Sequence, residues 1–432
     1  MNKLPDNKAF CTAPWVHIHA DPTGQITPCC YWDYTEISKE YGNMNDYDTV
    51  EDALNNDAFK KLRNRMLNNE PTHGCNRCIQ HHDNGMKQNS LMHWFNSEFN
   101  NESVVDIVNN TKEDGEIDVN ILYMDIRFRN LCNLKCRMCG YSLSSSWHEE
   151  NVIMDDNNDN LSRDDMQHHA NKPKFISIDV YDKIAPHFAT VEEIYFAGGE
   201  PLLYPEHVKI LQELIDMGRT DVRLKYNSNL SVLKYKTIDL VSLWNKFDSV
   251  NIGASIDAVG DVVEYIRTGC TWDTLVENMS YLKKYAPNIK VYPSPTIGIL
   301  NLETFVDFHR YCMEHDWFGD VMLMPNYITH PDHQNIQILP TWYKEKITND
   351  VHKHQQWLQN NGHKNQTWGF DSILAFMNAG NDKYDYDNKL ELLVCLEQML
   401  DTYDKSGNLN WKKSVPHVNA MLDEHKSRLN NT

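Results

Sequence analysis

The sequence predicts an α/β protein: a partial (β/α)6 barrel of the TIM type, preceded by a small cysteine-rich module and followed by a helical extension. Three observations lead there. From Ile121 onward, short β-prone runs alternate with amphipathic helical stretches, the pattern of parallel strands with helices packed outside. Six such runs suit an incomplete barrel better than a closed one of eight strands. Cysteines concentrate in two places, five before residue 90 and three in a loop directly after the first barrel run.

The elements follow in order. In residues 1–96, Val50, Leu54, Ala58, Leu62 and Met66 recur at helical spacing and predict one helix from Thr49 to Asn68. Residues 97–118 are rich in Asn, Asp and Glu and read as a polar linker. The barrel is expected over 119–335, with strands at Leu122–Phe128, Glu193–Phe196, Arg223–Tyr226, Val250–Ser255, Lys290–Tyr292 with Thr296–Ile299, and Val321–Met324. Residues 151–173 interrupt the alternation with an Asp- and Asn-rich insertion, expected as a surface loop or lid. Over 336–432 the chain reads as helical, with Leu390, Leu393, Leu396 and Leu400 marking a buried face.

At 41% hydrophobic and 24% charged residues, the composition is that of a globular protein with enough apolar side chains for a sizeable core. A formal net charge of −20 disfavours binding a nucleic-acid backbone through a general basic face. There is no apolar run of the roughly 18 residues a membrane span needs, and MNKLPDNKAF lacks a signal peptide's apolar core, so a cytoplasmic protein without membrane partners is expected. Eleven cysteines in that compartment stay reduced, which makes clustered ones metal ligands or catalysts before disulfides.

RNLCNLKCRMCG places Cys132, Cys136 and Cys139 in CxxxCxxC spacing at the expected barrel mouth. Thiolates are the ligands of iron–sulfur clusters, and a four-iron cubane ordinarily takes four, so three leave one iron open. CNLKCRMC resembles the cluster loop of the radical S-adenosylmethionine superfamily. The resemblance implies that S-adenosylmethionine chelates the open iron of a [4Fe–4S] cluster. Reductive cleavage would then give a 5'-deoxyadenosyl radical that abstracts a substrate hydrogen. Met138 stands where the family often has an aromatic residue against the adenine, and its thioether can pack there.

Further motifs resemble the family in chain order. YFAGGEP matches its Gly-Gly-Glu motif; Gly198 and Gly199 permit close backbone approach, and Glu200 offers an acceptor to the methionyl ammonium. NSN is similar to a Thr-Asn-Gly-like turn, which implies that Asn227 reaches ribose or substrate. NIGASID and the following EYIRTGC resemble a strand-end Ser and Asp followed by Arg. By that resemblance Ser255 and Arg267 bind the methionyl carboxylate or ribose, and Asp257 shapes the site.

The opening segment, CTAPWVHIHADPTGQITPCC, and a later HGCNRC offer Cys11, Cys29 or Cys30, Cys75 and Cys78 as four ligands, with Gly24 turning a hairpin between the first two. The order resembles the SPASM and twitch auxiliary-cluster modules, here ahead of the barrel rather than after it. Four thiolates hold either zinc or an iron–sulfur cluster, and spacing does not separate these. Beside such a barrel, a second [4Fe–4S] cluster is expected. His17 and His19 alternate along a strand and face one side; a solvated hairpin face is expected for them, with ligation of the metal or a place beside it as the alternative.

The resemblance implies a reductase, flavodoxin or ferredoxin as electron donor, and a peptide or protein as substrate by analogy with SPASM and twitch enzymes. A small metabolite or nucleotide is the alternative substrate. A reading from another class is a non-catalytic iron–sulfur electron carrier or redox sensor, against which Gly198, Gly199, Glu200 and Arg267 speak.

Overall fold

The structure is a computed structural model that describes residues 3–32, 36–83, 90–149, 174–319, 323–379, 384, 386–407 and 409–430. Its strands are β1 (His17–Ala20), β2 (Ile26–Thr27), β3 (Tyr123–Ile126), β4 (Lys135–Cys136), β5 (Glu193–Phe196) and β6 (Arg223–Ser228). They continue with β7 (Lys234–Tyr235), β8 (Ile238–Asp239), β9 (Val250–Ala254), β10 (Arg267–Thr268), β11 (Lys290–Pro293), β12 (Thr296–Ile297) and β13 (Asn326–Tyr327). The chain forms two compact units. One comprises Met1–Asn130, Phe175–Tyr226 and Lys246–Val250, and the other Leu131–Lys174, Asn227–Asn245 and Asn251–Thr432. No described helix is long and apolar enough to cross a membrane.

In the first unit, β3 pairs parallel with β5, and β5 with β6, as the alternation predicts. On the other side of β3 lies β1, parallel to it with His17 opposite Tyr123, and β2 closes the hairpin with His19 opposite Thr27. Gly24 sits in the hairpin turn at φ +85°. The N-terminal segment is therefore a strand of the parallel sheet, and all four residues of β1 are buried. The expectation of a solvated face for His17 and His19 is corrected by this pairing. His17 Nδ1 meets the Tyr123 carbonyl at 3.0 Å, and His19 Nδ1 meets Thr27 Oγ1 at 2.8 Å, so each buried imidazole has a local partner.

Burial has a consequence for pH. His207, on the helix Pro205–Asp216, is fully buried with Nε2 3.0 Å from Tyr226 Oη, and burial pulls its pKa down to about 3. His17 is also pulled down to about 3, by burial that outweighs the opposing charge of Asp125. Both stay neutral in the fold while the unfolded chain takes up protons near pH 6.5. Their stabilisation is complete above that pH and declines below it, each adding about 1.4 kcal/mol per pH unit of slope. His207→Gln is expected to flatten the fall in stability between pH 6 and 4 by about that amount; an unchanged slope in denaturant titrations would contradict the assignment.

The expected helix from Thr49 to Asn68 forms as two, Val50–Leu54 and Asp57–Leu67. Asn56 breaks it, because its side chain accepts the Phe59 amide and starts a new helix. Within the expected linker, Glu102–Asn109 is helical with Val104, Val105 and Val108 buried, an apolar face that the Asn- and Asp-rich composition hid.

In the second unit, β11 pairs parallel with β9, Lys290 opposite Asn251, and β12 pairs parallel with β13. Thus the partner of β12 begins at Asn326. Val321 and Met322 of the expected last strand lie outside the described residues, as do residues 151–173. The extension is helical over Thr341–Asn360, Thr367–Asn378, Tyr386–Gly407 and Pro416–Asn430, with Leu393, Leu396 and Leu400 buried as expected.

Candidate functional site

The three-cysteine loop belongs to the second unit and is held by backbone and hydroxyl groups. Its short strand β4 pairs antiparallel with β10, which sets Arg267 across from Cys136. Trp147 Nε1 donates to the Cys136 carbonyl at 3.2 Å, Ser144 Oγ to the Leu134 carbonyl at 2.6 Å, and Ser146 Oγ to the Cys132 carbonyl at 2.7 Å. Gln334 Nε2 donates to the Arg137 carbonyl at 2.8 Å. Asn229 Nδ2 donates to Asn133 Oδ1 at 3.2 Å, and Asn133 in turn to Ser231 Oγ at 2.8 Å. The guanidinium of Arg137 is caged by the rings of Trp147, Tyr265 and Tyr403, at 4.6 to 5.5 Å from their centroids. Asn229 belongs to the NSN turn, and Tyr265 and Arg267 to EYIRTGC, whereas Ser144, Ser146, Trp147 and Gln334 belong to no motif, although the hydroxyl-rich SLSSSW run directly after the loop is visible in the sequence.

The cysteines themselves converge. Cys132 and Cys136 are buried and Cys139 half-buried, and the Cys139 amide donates to the Cys136 carbonyl at 2.9 Å. The Cys136 pKa is lowered, first by the hydrogen bond from the Cys139 thiol and then, against burial, by the Arg267 guanidinium. Cys139 is pushed well up, as donor in that hydrogen bond and through burial. Among the described residues no three Cys, His, Asp or Glu side chains already share a metal-binding geometry, but the donor chemistry fits an iron–sulfur cluster: three neighbouring thiols beside a buried cation.

Arg267 and Asp257 form a buried ion pair, Nε to Oδ2 at 2.7 Å and Nη2 to Oδ1 at 3.0 Å. Burial opposes the Arg267 charge, yet Asp257 and then Cys136 raise its pKa overall. Ser255 follows β9 and its amide donates to the Ser228 carbonyl at 2.8 Å. Met138 and Asn227 are half-buried, the latter on β6.

The Gly-Gly-Glu turn lies in the first unit, immediately after β5. Gly198 has φ +112°, and a Cβ there would come within 3.2 Å of both Arg127 Cβ and Tyr204 Oη, so both conformation and space require glycine. The Gly199 amide donates to the Arg129 carbonyl at 3.4 Å, and Tyr204 Oη donates to the same oxygen at 2.7 Å. Glu200 is buried, and its Oε1 accepts the Leu202 amide at 3.2 Å, capping the turn Pro201–Leu203.

Also in the first unit, Cys11, Cys29, Cys75 and Cys78 line one cavity, with Trp32, Met92 and Phe95 among the apolar walls. The Trp32 ring lies where a Cβ on Gly74 would come as close as 2.2 Å, so glycine before Cys75 lets the indole close over the CxxC turn. Burial raises the pKa of all four thiols; the field of Cys75 and Cys78 adds to it at Cys11, and at Cys29 the neighbouring Cys30 adds first, then Cys75, Cys11 and Cys78. Cys30 differs. Its thiol, pushed up to about 12 by burial, sits in the field of Asp125, Arg127 and Arg77 instead. Four soft donors around one apolar-walled cavity fit an iron–sulfur cluster.

Comparison with known proteins follows the same two regions. The radical SAM superfamily model matches residues 126–312, and SPASM, an iron–sulfur cluster-binding domain, matches residues 11–79. No curated protein matches the chain. Among solved structures, native anSMEcpe with bound AdoMet and Cp18Cys peptide is 16% identical, with 54% of this chain and 59% of that one covered and a TM-score of 0.34. Native anSMEcpe with bound AdoMet is 15% identical, with 54% and 60% covered and a TM-score of 0.37. TYW1 with a lysine-pyruvate adduct bound is 14% identical, with 56% and 71% covered and a TM-score of 0.29. The chain spans about 60% of the length of the anSMEcpe structures, and likenesses of this size carry no argument about substrate.

Proposed function

From the match of residues 126–312 to the radical SAM superfamily and of residues 11–79 to SPASM, we propose that this chain is a radical S-adenosylmethionine enzyme with a SPASM-type iron–sulfur domain, that Cys132, Cys136 and Cys139 hold its catalytic cluster, and that it acts on a peptide. Its cofactors are S-adenosylmethionine and [4Fe–4S] clusters, and it needs an electron donor, by this reading a flavodoxin, ferredoxin or reductase. When bound, these cofactors supply a 5'-deoxyadenosyl radical that takes a hydrogen atom from the substrate. The observation that carries the assignment is a loop with three buried or half-buried thiols, those of Cys136 and Cys139 in hydrogen-bond contact, fixed by Ser144, Ser146, Trp147 and Gln334. A loop so braced keeps its ligands in place without a fourth cysteine.

The chain's own groups have separable tasks. Gly198 and Gly199 bring backbone close to the methionyl group, and Glu200 accepts from its ammonium. Ser255, at a strand end, is assigned to the methionyl carboxylate or ribose, Asn227 to the ribose or substrate, and Met138 to the adenine. Cys11, Cys29, Cys75 and Cys78 hold the SPASM cluster, and Cys30 is left outside it; the shared cavity supports this division.

Glu200→Ala is expected to weaken S-adenosylmethionine binding about tenfold or more, since a hydrogen bond to a charged group contributes about 1.5–3 kcal/mol. Iron content should be unchanged, and Glu200→Gln, which keeps the cap on Leu202, should bind at an intermediate level. Equal affinity in all three proteins, measured by equilibrium dialysis, would remove Glu200 from the methionyl site.

The peptide reading is supported by the SPASM module, whose kind accompanies enzymes that modify peptides. It is tested by incubating the reduced, reconstituted enzyme with peptide and small-metabolite fractions from cells grown on deuterated amino acids. Deuterium should enter 5'-deoxyadenosine from the peptide fraction. Incorporation from the small-metabolite fraction alone would overturn the substrate class.

A further inference from the structure

The β4–β10 ladder puts Arg267 beside a cluster thiol, and its guanidinium is not free to leave. Nη1 lies 3.7 Å from Cys136 Sγ, while Nε and Nη2 are taken by the two oxygens of Asp257. Asp257 is itself fixed: its Oδ1 also accepts the Thr296 amide at 2.8 Å, and its backbone carbonyl accepts Asn301 Nδ2 at 3.2 Å. Both charges are buried, Arg267 at 7% exposure and Asp257 at 0%. A carboxylate thus aims one edge of a guanidinium at a sulfur, away from screening water.

That arrangement acts on an electron. Reducing a cluster adds one negative charge, supplied by the donor protein, and no bond to the chain is made or broken. Hydrogen bonds to the ligand sulfurs and local net charge set how readily this happens, and a cation held nearby favours the more negative state. We propose that Arg267 is a positioning residue for the barrel cluster, donating from Nη1 to Cys136 Sγ and raising the cluster's reduction potential, with Asp257 aiming the guanidinium and partly offsetting its charge. This rests on the reading that Cys132, Cys136 and Cys139 hold the cluster. It differs from the role that family resemblance implies for Arg267, a contact to the methionyl carboxylate.

The test is a redox titration of the reconstituted full-length protein without S-adenosylmethionine. It follows the paramagnetic signal that is absent from a Cys132→Ala, Cys136→Ala, Cys139→Ala variant. Arg267→Gln with Asp257→Asn removes the donor edge while leaving the pair's net charge unchanged. It should weaken the preference for the reduced cluster about tenfold, which for a one-electron couple is about 59 mV to more negative potential. Asp257→Asn alone leaves the guanidinium uncompensated and should move the potential the opposite way. Wild-type potential in both variants, each with full iron content, overturns the proposal; lost S-adenosylmethionine affinity alongside that result returns Arg267 to the carboxylate. Should the double variant lose its barrel iron, the sign of the Asp257→Asn shift decides. Full iron and an intact signal in Cys136→Ser would instead sink the cluster assignment.

Discussion

Replacing Cys132, Cys136 and Cys139 together by alanine is expected to abolish reductive cleavage of S-adenosylmethionine and to leave the protein with about half of the roughly eight irons expected for two cubane clusters. The two effects follow from separate thiol groups, one on the loop that contains β4 and one around the Cys11–Cys29–Cys75–Cys78 cavity. The loss of activity should be complete because the other site, with four soft donors as proposed, would leave no iron open to the sulfonium substrate. The fold should survive. The loop is braced through backbone carbonyls by Ser144, Ser146, Trp147 and Gln334, none of which depends on the thiols. Iron analysis and circular dichroism on the variant check both parts; retention of zinc alone would show that the N-terminal site is not an iron–sulfur centre.

Cys29→Ser and Cys30→Ser separate just as sharply, although the two residues are adjacent. Cys29 lines the cavity with Cys11, Cys75 and Cys78, whereas Cys30 lies in the field of Asp125, Arg127 and Arg77. Cys29→Ser is expected to lose the auxiliary cluster, about half of the iron, together with substrate turnover. Cleavage of S-adenosylmethionine by the remaining cluster should persist in the protein that stays folded. Cys30→Ser should keep full iron content. Because a structural metal site contributes folding energy directly, Cys29→Ser should also melt lower, and Cys30→Ser should not. Equal iron loss in both would mean that the pair shares one cluster.

The parts legible in the sequence were local. CxxxCxxC at a strand end, the glycines before Glu200 and the CxxC at Cys75 and Cys78 are short-range patterns whose chemistry depends on spacing within one turn. Parallel strands at Glu193–Phe196 and Arg223–Ser228 were legible because β-prone runs alternate with helical ones. What stayed hidden depends on long-range partners. β1 pairs with β3 across about a hundred residues, so His17 and His19 looked like a hairpin face and are buried. Gln334 reaches the Arg137 carbonyl from 197 residues away. The choice between Cys29 and Cys30 turns on which neighbours each thiol meets, and a pair of adjacent letters does not carry that. The broken helix at Asn56 was legible in principle, since an Asn three residues before Phe59 is an N-cap signal.

Formation of 5'-deoxyadenosine tests the central claim most directly. The full-length protein, reconstituted anaerobically with iron and sulfide, reduced, and supplied with S-adenosylmethionine, should produce 5'-deoxyadenosine and methionine. The Cys132→Ala, Cys136→Ala, Cys139→Ala variant should produce neither. A fully iron-loaded wild-type protein that leaves S-adenosylmethionine intact, or a variant that cleaves it as well as the wild type does, would contradict the account.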